Sequence, residues 1–145
     1  MGIFSKTCEY AVKSVFFIAH RTENGSKVSI KEIAAGISSP EHFLAKILQT
    51  LSKKGIVKSI KGPHGGFYMD ESTLKQPLIN VVEAIDGNGL FIGCALGFNS
   101  CSESEPCPLH HEFKVIRENI RHMLANTTIK EFNGDLNLGI TSLRK

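Results

Sequence analysis

Residues 29–69 read SIKEIAAGISSPEHFLAKILQTLSKKGIVKSIKGPHGGFYM, and this stretch carries the signals for two short helices followed by a β-hairpin. Ser29 and Glu32 form a capping-box pattern at the start of the first helix. Gly36 follows Ala35, and glycine commonly ends a helix at this kind of position. We therefore predict a short first helix that stops at Gly36.

The second helix of the stretch is expected to use Ser39 as its N-cap and Pro40 as its first residue. Its apolar side chains recur at helical spacing, and Gly55 is expected to end it. These apolar positions are Phe43, Leu44, Ile47, Leu48 and Leu51.

A hairpin follows, with one strand over 56–61, a glycine-rich turn over 62–66 and a short return strand over 67–69. Upstream, residues 5–21 show apolar residues at three- and four-residue steps, which predicts another helix. The order helix, helix, helix, hairpin is typical of a winged helix-turn-helix domain. In such a domain the second and third helices form the DNA-reading unit and the hairpin forms the wing.

Two further helices are predicted in the C-terminal half. One spans 76–86 and is stopped by Gly87, and after a loop the other runs over 108–126. The apolar residues of the long helix step by four, three, four and three, like one strand of a coiled coil. They are Leu109, Phe113, Ile116, Ile120 and Met123. We expect this stripe to pair with a second copy of the chain, the alternative being a face on its own core.

The predicted fold is therefore mainly α with a small β-hairpin, a winged helix-turn-helix domain plus a long dimerisation helix. We divide the chain into a DNA-binding domain at 1–87, a cysteine-rich loop at 88–107, and a dimerisation helix with its tail at 108–145. One more helical turn is expected over 129–132, and the tail from Asn133 is expected to be loosely structured.

The charge is unevenly distributed along the chain. The net charge is +3, but residues 1–69 hold ten basic and four acidic side chains, whereas residues 70–145 hold seven and ten. A basic N-terminal half suits a phosphate backbone, although ordinary surface solubility would also explain it. There is no apolar run of the roughly 20 residues that span a bilayer and no signal-peptide pattern, so we expect a cytoplasmic protein without membrane contact.

We expect double-stranded DNA to contact the start of the third helix, a basic strip and the wing, because hydroxyls and helix N-termini hold phosphates while Lys and His reach base edges. The helix residues are Ser38, Ser39, Glu41, His42 and Lys46. The strip and the wing comprise Lys53, Lys54, Lys58, Lys61, Gly62, Pro63, His64, Gly65 and Gly66. Lys61 and His64 are expected near the minor groove or its phosphates.

Three cysteines and a histidine lie within 17 residues: Cys94, Cys101, Cys107 and His110. Thiolates and imidazole are ligands for iron–sulfur clusters and for zinc, and clustered thiols can also form disulfides. Zinc sites usually contain tight C-x2-C pairs, which are absent here, and the longer spacing favours a larger inorganic core. The sequence contains no phosphate-binding loop or catalytic motif, so we do not expect an enzyme.

The sequence resembles the IscR/NsrR family of bacterial winged-helix transcription regulators over nearly its whole length. The resemblance rests on the order and spacing of several motifs: Ser5-Lys6 with Tyr10-Ala11-Val12, Leu44 and Leu48 with 51–57, the wing 61–67, 82–86, and the three-cysteine loop. It implies a homodimer that binds near-palindromic operators, with an affinity controlled by a cluster or a small signal.

The resemblance also implies an iron–sulfur cluster, [2Fe–2S] or [4Fe–4S], held by the three loop cysteines with His110 as the fourth ligand. Glu9 and Cys8 are the alternative fourth ligands, although Cys8 falls on the apolar face of the first helix. The signals would be cluster supply, nitric oxide or redox state. A cluster-free thiol-redox or ligand-responsive regulator and a zinc-stabilised adaptor remain alternatives.

The chain departs from the family pattern at three places. The first cysteine gap is six residues, Lys61 stands where the wing often has Arg, and Ala45 stands where IscR has a Glu that helps to select DNA sequences. The operator sequence of IscR therefore cannot be transferred to this chain.

Overall fold

A computed structural model describes residues 2–143 of the chain, so the last two residues of the predicted tail lie outside the described part. The fold is mainly helical with one two-stranded antiparallel hairpin after the third helix, so the predicted fold class is confirmed. The elements are α1 Lys6–Arg21, α2 Ile30–Ile37, α3 Glu41–Lys53, β1 Lys58–Ile60, β2 Gly66–Tyr68, α4 Glu71–Leu74, α5 Ile79–Asp86, α6 Gly89–Ile92, α7 His110–Asn126 and α8 Ile129–Asn137.

The winged domain is organised around α1, which packs against α2, α3, α5 and α8. The helix begins where the Ser5 hydroxyl accepts a hydrogen bond from the Cys8 amide. Its inward face is fully buried at Ala11, Val15 and Ile18. Removing this apolar surface from water is the main stabilising contribution to the domain, and it fixes the position of α3 relative to the wing.

The wing is tied to the rest of the domain by backbone hydrogen bonds. Strands β1 and β2 pair with Lys58 opposite Tyr68 and with Ile60 opposite Gly66. Val28, just before α2, forms an additional antiparallel bridge with Phe67. The hairpin is thus anchored to the segment that leads into α2.

The end predicted for the first helix of the 29–69 stretch is wrong. Helix α2 passes through Gly36 and ends with Ser38 as its C-cap in the left-handed conformation, at φ 56°. Gly36 is needed for another reason, because a Cβ at this position would overlap the ring of Phe17 on α1. The glycine allows α1 and α2 to approach closely.

The start predicted for the third helix is also wrong. Pro40 is the N-cap rather than the first helical residue, and no side chain caps α3. Ser39 is buried, at 9% exposure, and its hydroxyl donates to the Pro40 carbonyl at 3.3 Å. The predicted end is confirmed, because Lys54 is the C-cap and Gly55 follows it with φ +73°.

The C-terminal half contains more helix than predicted. A one-turn helix, α6, lies in the predicted loop, a second, α4, lies in a segment for which no prediction was made, and α5 begins at Ile79 rather than at residue 76. The tail prediction is wrong, because α8 continues to Asn137 and packs on α1. A capping box at Thr128 starts α8, and the rings of Phe132 and Phe16 then meet edge-to-face with centroids 5.9 Å apart.

Within residues 2–143, none of the helices is long and apolar enough to cross a membrane.

Candidate functional site

Three of the four cysteines and His110 line one cavity of about 480 Å³. Cys94 follows α6, Cys101 and Cys107 lie in the loop, and His110 is the first residue of α7. The loop folds back on α7, so side chains separated by up to 16 positions face the same space. We call these four residues the cysteine site.

Two pairs make up the cysteine site. The sulfurs of Cys94 and Cys107 are 3.9 Å apart, and the Cys101 sulfur lies 3.2 Å from Nδ1 of His110. In the part of the chain that the structure describes, no three His, Cys, Asp or Glu side chains are grouped closely enough to hold one metal ion. The four predicted ligands therefore share a cavity but do not converge on a single point.

His110 is buried beside the cavity, between Cys101 and Glu103. Its side chain is 2% exposed, Nδ1 faces Cys101, and Nε2 is 3.4 Å from a carboxylate oxygen of Glu103 without a hydrogen bond. Glu103 is itself paired with Lys114 on α7, and this lysine followed by His110 lowers the pKa of the carboxyl. The carboxylate thus lies near the side of the imidazole that faces away from Cys101.

The donor chemistry of the cavity suits a soft metal centre. Thiols and imidazole are the ligands of iron–sulfur clusters and of zinc. Backbone N–H groups of Phe98 and Leu96 point at the Cys94 sulfur and lower the pKa of that thiol. Three sulfurs and one imidazole lining one cavity are a donor set that fits an iron–sulfur group.

Arg117 was not among the predicted site residues, yet it borders the cysteine site. It is 9% exposed, its guanidinium lies 3.3 and 3.4 Å from the Cys101 sulfur through two nitrogens, and it donates to the Gly93 carbonyl. Arg117 follows His110 by seven residues, which places both on the same face of α7. That spacing was the available signal.

Cys8 and Glu9, the alternative fourth ligands, lie on α1 and do not line the cavity. Cys8 is fully buried, and burial followed by the nearby Asp86 carboxylate raises the pKa of its thiol to about 12. Glu9 is paired with Lys6 at 3.3 Å. Cys8 is therefore part of the core of the chain, and Glu9 lies outside the cysteine site of its own chain.

The predicted DNA-contacting residues lie along α3 and the wing. Eleven of the fourteen are exposed, Gly65 and Gly66 are partly buried, and Ser39 is buried. The exposed ones are Ser38, Glu41, His42, Lys46, Lys53, Lys54, Lys58, Lys61, Gly62, Pro63 and His64. A groove of about 590 Å³ separates α3 from the wing, and Ala45 and Gln49 line it together with Lys53 and Lys61. Gln49 was not predicted, because the α3 residues were chosen for an ionisable group or a hydroxyl group and Gln49 has neither.

The wing contributes one lysine that is already paired. Lys58 Nζ lies 2.5 Å from a carboxylate oxygen of Asp70, and this hydrogen bond raises the pKa of the lysine and lowers the pKa of the carboxyl. Lys61 is further along the hairpin, next to Gly65, where a Cβ would overlap the Ile60 carbonyl. The turn that presents Lys61 thus requires glycine.

Helix α7 and its N-cap residue carry an apolar stripe that their own chain leaves partly exposed. Leu109, Phe113, Ile116 and Met123 are 41%, 39%, 49% and 48% exposed. Ile120 differs, since it is partly buried and packs against the core. On the adjoining face, His110, Arg117 and Leu124 are buried. The helix therefore has one face turned to its own chain and a neighbouring apolar face turned to solvent.

Comparison with known proteins places this arrangement in a family. The model of the Rrf2 family, described as "Iron-dependent Transcriptional regulator", matches residues 4–135. The chain is 34% identical over 131 residues to an HTH-type transcriptional regulator of Aquifex aeolicus, covering 89% of this chain and 90% of the relative. It is 29% identical over 128 residues to the HTH-type transcriptional regulator NsrR of Geobacillus kaustophilus, covering 88% and 86%.

The fold also resembles the solved structure of CymR, the global cysteine regulator of B. subtilis. The TM-score is 0.75 at 20% sequence identity, covering 92% of this chain and 98% of CymR.

Proposed function

Because this chain belongs to the Rrf2 family of transcriptional regulators, we propose that it is a homodimer whose affinity for operator DNA is set by an iron–sulfur cluster at the cysteine site. The chain is a DNA-binding transcription regulator and not an enzyme, as the names of its relatives state for them.

One observation carries the cluster proposal: three thiols and a buried imidazole face one cavity. The description of the family as iron-dependent supports iron over other soft metals. We assign Cys94, Cys101 and Cys107 as ligands, with His110 as the fourth. Bound there, an iron–sulfur cluster supplies a redox-active centre that oxidants and nitric oxide attack and that depends on cluster supply.

His110 is preferred over Glu9 and Cys8 as the fourth ligand. Its Nδ1 already faces Cys101 at 3.2 Å, and Glu103 stands behind the ring. Cys8 is committed to the core of its own chain. Glu9 could reach a cysteine site only from the partner chain of a dimer.

We propose that α3 enters the major groove and that the wing follows the neighbouring minor groove. The exposed residues His42, Lys46 and Gln49 follow one another along α3 at three- and four-residue steps, so they share a side that can face base edges. Lys61 at the wing would contact phosphates or the minor groove. Lys58 would contribute less, because Asp70 offsets its charge.

We propose that two α7 helices pack through the exposed stripe Leu109, Phe113, Ile116 and Met123. An apolar stripe of this length is costly to leave in water, and a twofold axis lets the same stripe cover itself. Such a dimer would set two reading helices about 34 Å apart, one turn of DNA.

A second candidate is a cluster-free regulator that responds to thiol redox state or to a ligand. The 3.9 Å separation of the Cys94 and Cys107 sulfurs favours it, because these thiols could form a disulfide after a small movement. The likeness to a cysteine regulator gives it further support. A zinc-stabilised adaptor is the third candidate, since zinc accepts three cysteines and a histidine.

Anaerobic reconstitution with iron and sulfide tests these candidates. Wild type should take up both and develop visible charge-transfer bands, and Cys101→Ala should not. Cys8→Ala is the matched control, because it removes a thiol outside the cavity and should keep the bands. DNA affinity is then measured with and without the reconstituted cluster.

Each outcome selects among the candidates. Wild type that binds zinc, or that takes up neither iron nor sulfide, would contradict the cluster proposal. The His110 assignment is wrong if His110→Ala keeps the wild-type spectrum while Glu9→Ala alters it.

A further inference from the structure

Arg117 is a buried cation without a carboxylate partner in the described part of the chain. The ion pairs there involve other residues, and the Nε atom of Arg117 has no hydrogen-bond partner. A buried charge is costly unless an opposite charge or several hydrogen bonds compensate it. The groups that its guanidinium does meet are the Gly93 carbonyl and the Cys101 sulfur.

Besides the Gly93 carbonyl, the group that can compensate this charge is the Cys101 sulfur of the cysteine site. A thiol is a weak acceptor, whereas a thiolate, free or bound to a metal centre, carries negative charge. Two nitrogens of the planar guanidinium lie within hydrogen-bond distance of the same sulfur. A lysine, which has a single side-chain nitrogen, cannot make this pair of contacts. The arrangement suits a sulfur that carries negative charge.

The position of Arg117 also joins two parts of the site. Gly93 directly precedes Cys94, and Cys101 follows Cys94 after six intervening residues. A single side chain from α7 thus holds both ends of the segment between the first two cysteines. The neighbouring residue Ile116 lies on the exposed apolar stripe, so the same helical turn faces the loop and the solvent.

We propose that Arg117 is a positioning residue of the cysteine site, which holds the 93–101 segment on α7 and offsets the negative charge of the thiolate-bound group. This inference rests on the proposed iron–sulfur function for its charge role. Its holding role belongs to the chain alone and can be measured without the group.

The test compares Arg117→Gln and Arg117→Lys with the matched control Arg121→Gln, which removes an exposed arginine one turn further along α7. In cluster-free protein, hydrogen exchange is measured for the two segment amides that donate backbone hydrogen bonds, Gly93 and Gly97, with α3 amides as an internal reference. Losing a hydrogen bond from a charged group costs about 1.5–3 kcal/mol, so segment exchange should rise at least about tenfold in Arg117→Gln. Arg121→Gln should exchange like wild type.

In reconstituted protein, the reduction potential is measured by titration followed through visible absorbance. Arg117→Gln should shift the potential to a more negative value, because the variant lacks the positive charge that stabilises an electron added at the site. Arg117→Lys keeps the charge without the fork, so it should hold the wild-type potential while its segment still exchanges faster.

The holding role is wrong if Arg117→Gln leaves segment exchange unchanged, or if exchange in α3 rises equally, which would indicate general destabilisation. The charge role is wrong if wild type and Arg117→Gln load equally and share one potential. If wild type takes up no iron and sulfide, the proposed function and the charge role fail together, and faster segment exchange in Arg117→Gln would still support the holding role.

Discussion

The dimer proposal can be tested by placing carboxylates on the exposed stripe of α7. Ile116 and Met123 are the positions of choice, because they are 49% and 48% exposed in one chain. Ile120 is unsuitable despite belonging to the same heptad seam, since it packs against the core and its replacement would unfold part of the chain. We therefore predict the effect of the double substitution Ile116→Glu and Met123→Glu.

The magnitude follows from the exposed fractions. Fully burying a side chain of this size contributes about 1.5–3 kcal/mol, so covering the exposed half contributes roughly 1 kcal/mol. A twofold interface contains each position twice, so the double substitution removes roughly 4 kcal/mol of apolar burial. Since each 1.4 kcal/mol is a factor of ten, the dimer dissociation constant should rise by about three orders of magnitude. Desolvation of the new carboxylates would add to this effect.

Sedimentation velocity over a concentration series measures the dissociation constant. Val115→Glu is the matched control, because Val115 is 60% exposed and lies on α7 but on neither the stripe nor the face turned to the core. It should leave the dimer intact. A double variant that remains dimeric with the wild-type dissociation constant would refute the interface.

The remaining predictions concern DNA binding and helix packing. Lys61→Ala should weaken operator binding and reduce the slope of log affinity against log salt by about two, one for each Lys61 of the proposed dimer, and Lys46→Ala should weaken binding and change base preference. Fluorescence anisotropy across a salt series checks both, and unchanged affinity in both variants would contradict the proposed docking. Gly36→Ala should lower the free energy of unfolding by about 1–3 kcal/mol, because the new methyl group meets an α1 phenyl ring, measured by denaturant titration. Gly134→Ala in α8 has open space around it and should be neutral or stabilising, and equal effects of the two glycine variants would contradict the packing argument.

The winged domain could be predicted from sequence because its signals are local. Apolar spacing within each helix and the turn residues of the hairpin depend on neighbours a few positions away. The caps at Ser29 and Gly55 were correct for the same reason. The helix end predicted at Gly36 was wrong because the role of this glycine depends on Phe17, which lies on another helix. A glycine that ends a helix and one that permits close packing look the same in a sequence.

The features that were missed depend on contacts between distant parts of the chain. Helix α8 starts at a local capping box, but its continuation past Phe132 to Asn137 is stabilised by docking on α1, where the Phe132 ring meets Phe16. Arg117 stands in a helix rich in polar residues, where burial of a charge is not expected. Only the folded loop shows that its guanidinium meets Cys101.

The connections of α7 limit how a ligand at the cysteine site can affect DNA binding. At its N-terminal half, α7 holds the cysteine loop through His110 and Arg117. At its C-terminal end, the backbone at Thr127 accepts a hydrogen bond from the Leu78 amide at 3.2 Å, and Ile129 donates to the Gln76 carbonyl at 2.9 Å. Since α8 also packs on α1, the winged domain is fastened to the far end of α7. A ligand changes DNA affinity only through its different interaction with two arrangements of the protein. In the proposed dimer, the arrangement that can vary is the packing of the two α7 helices, because this packing sets the separation of the two reading helices and adjoins the loop directly.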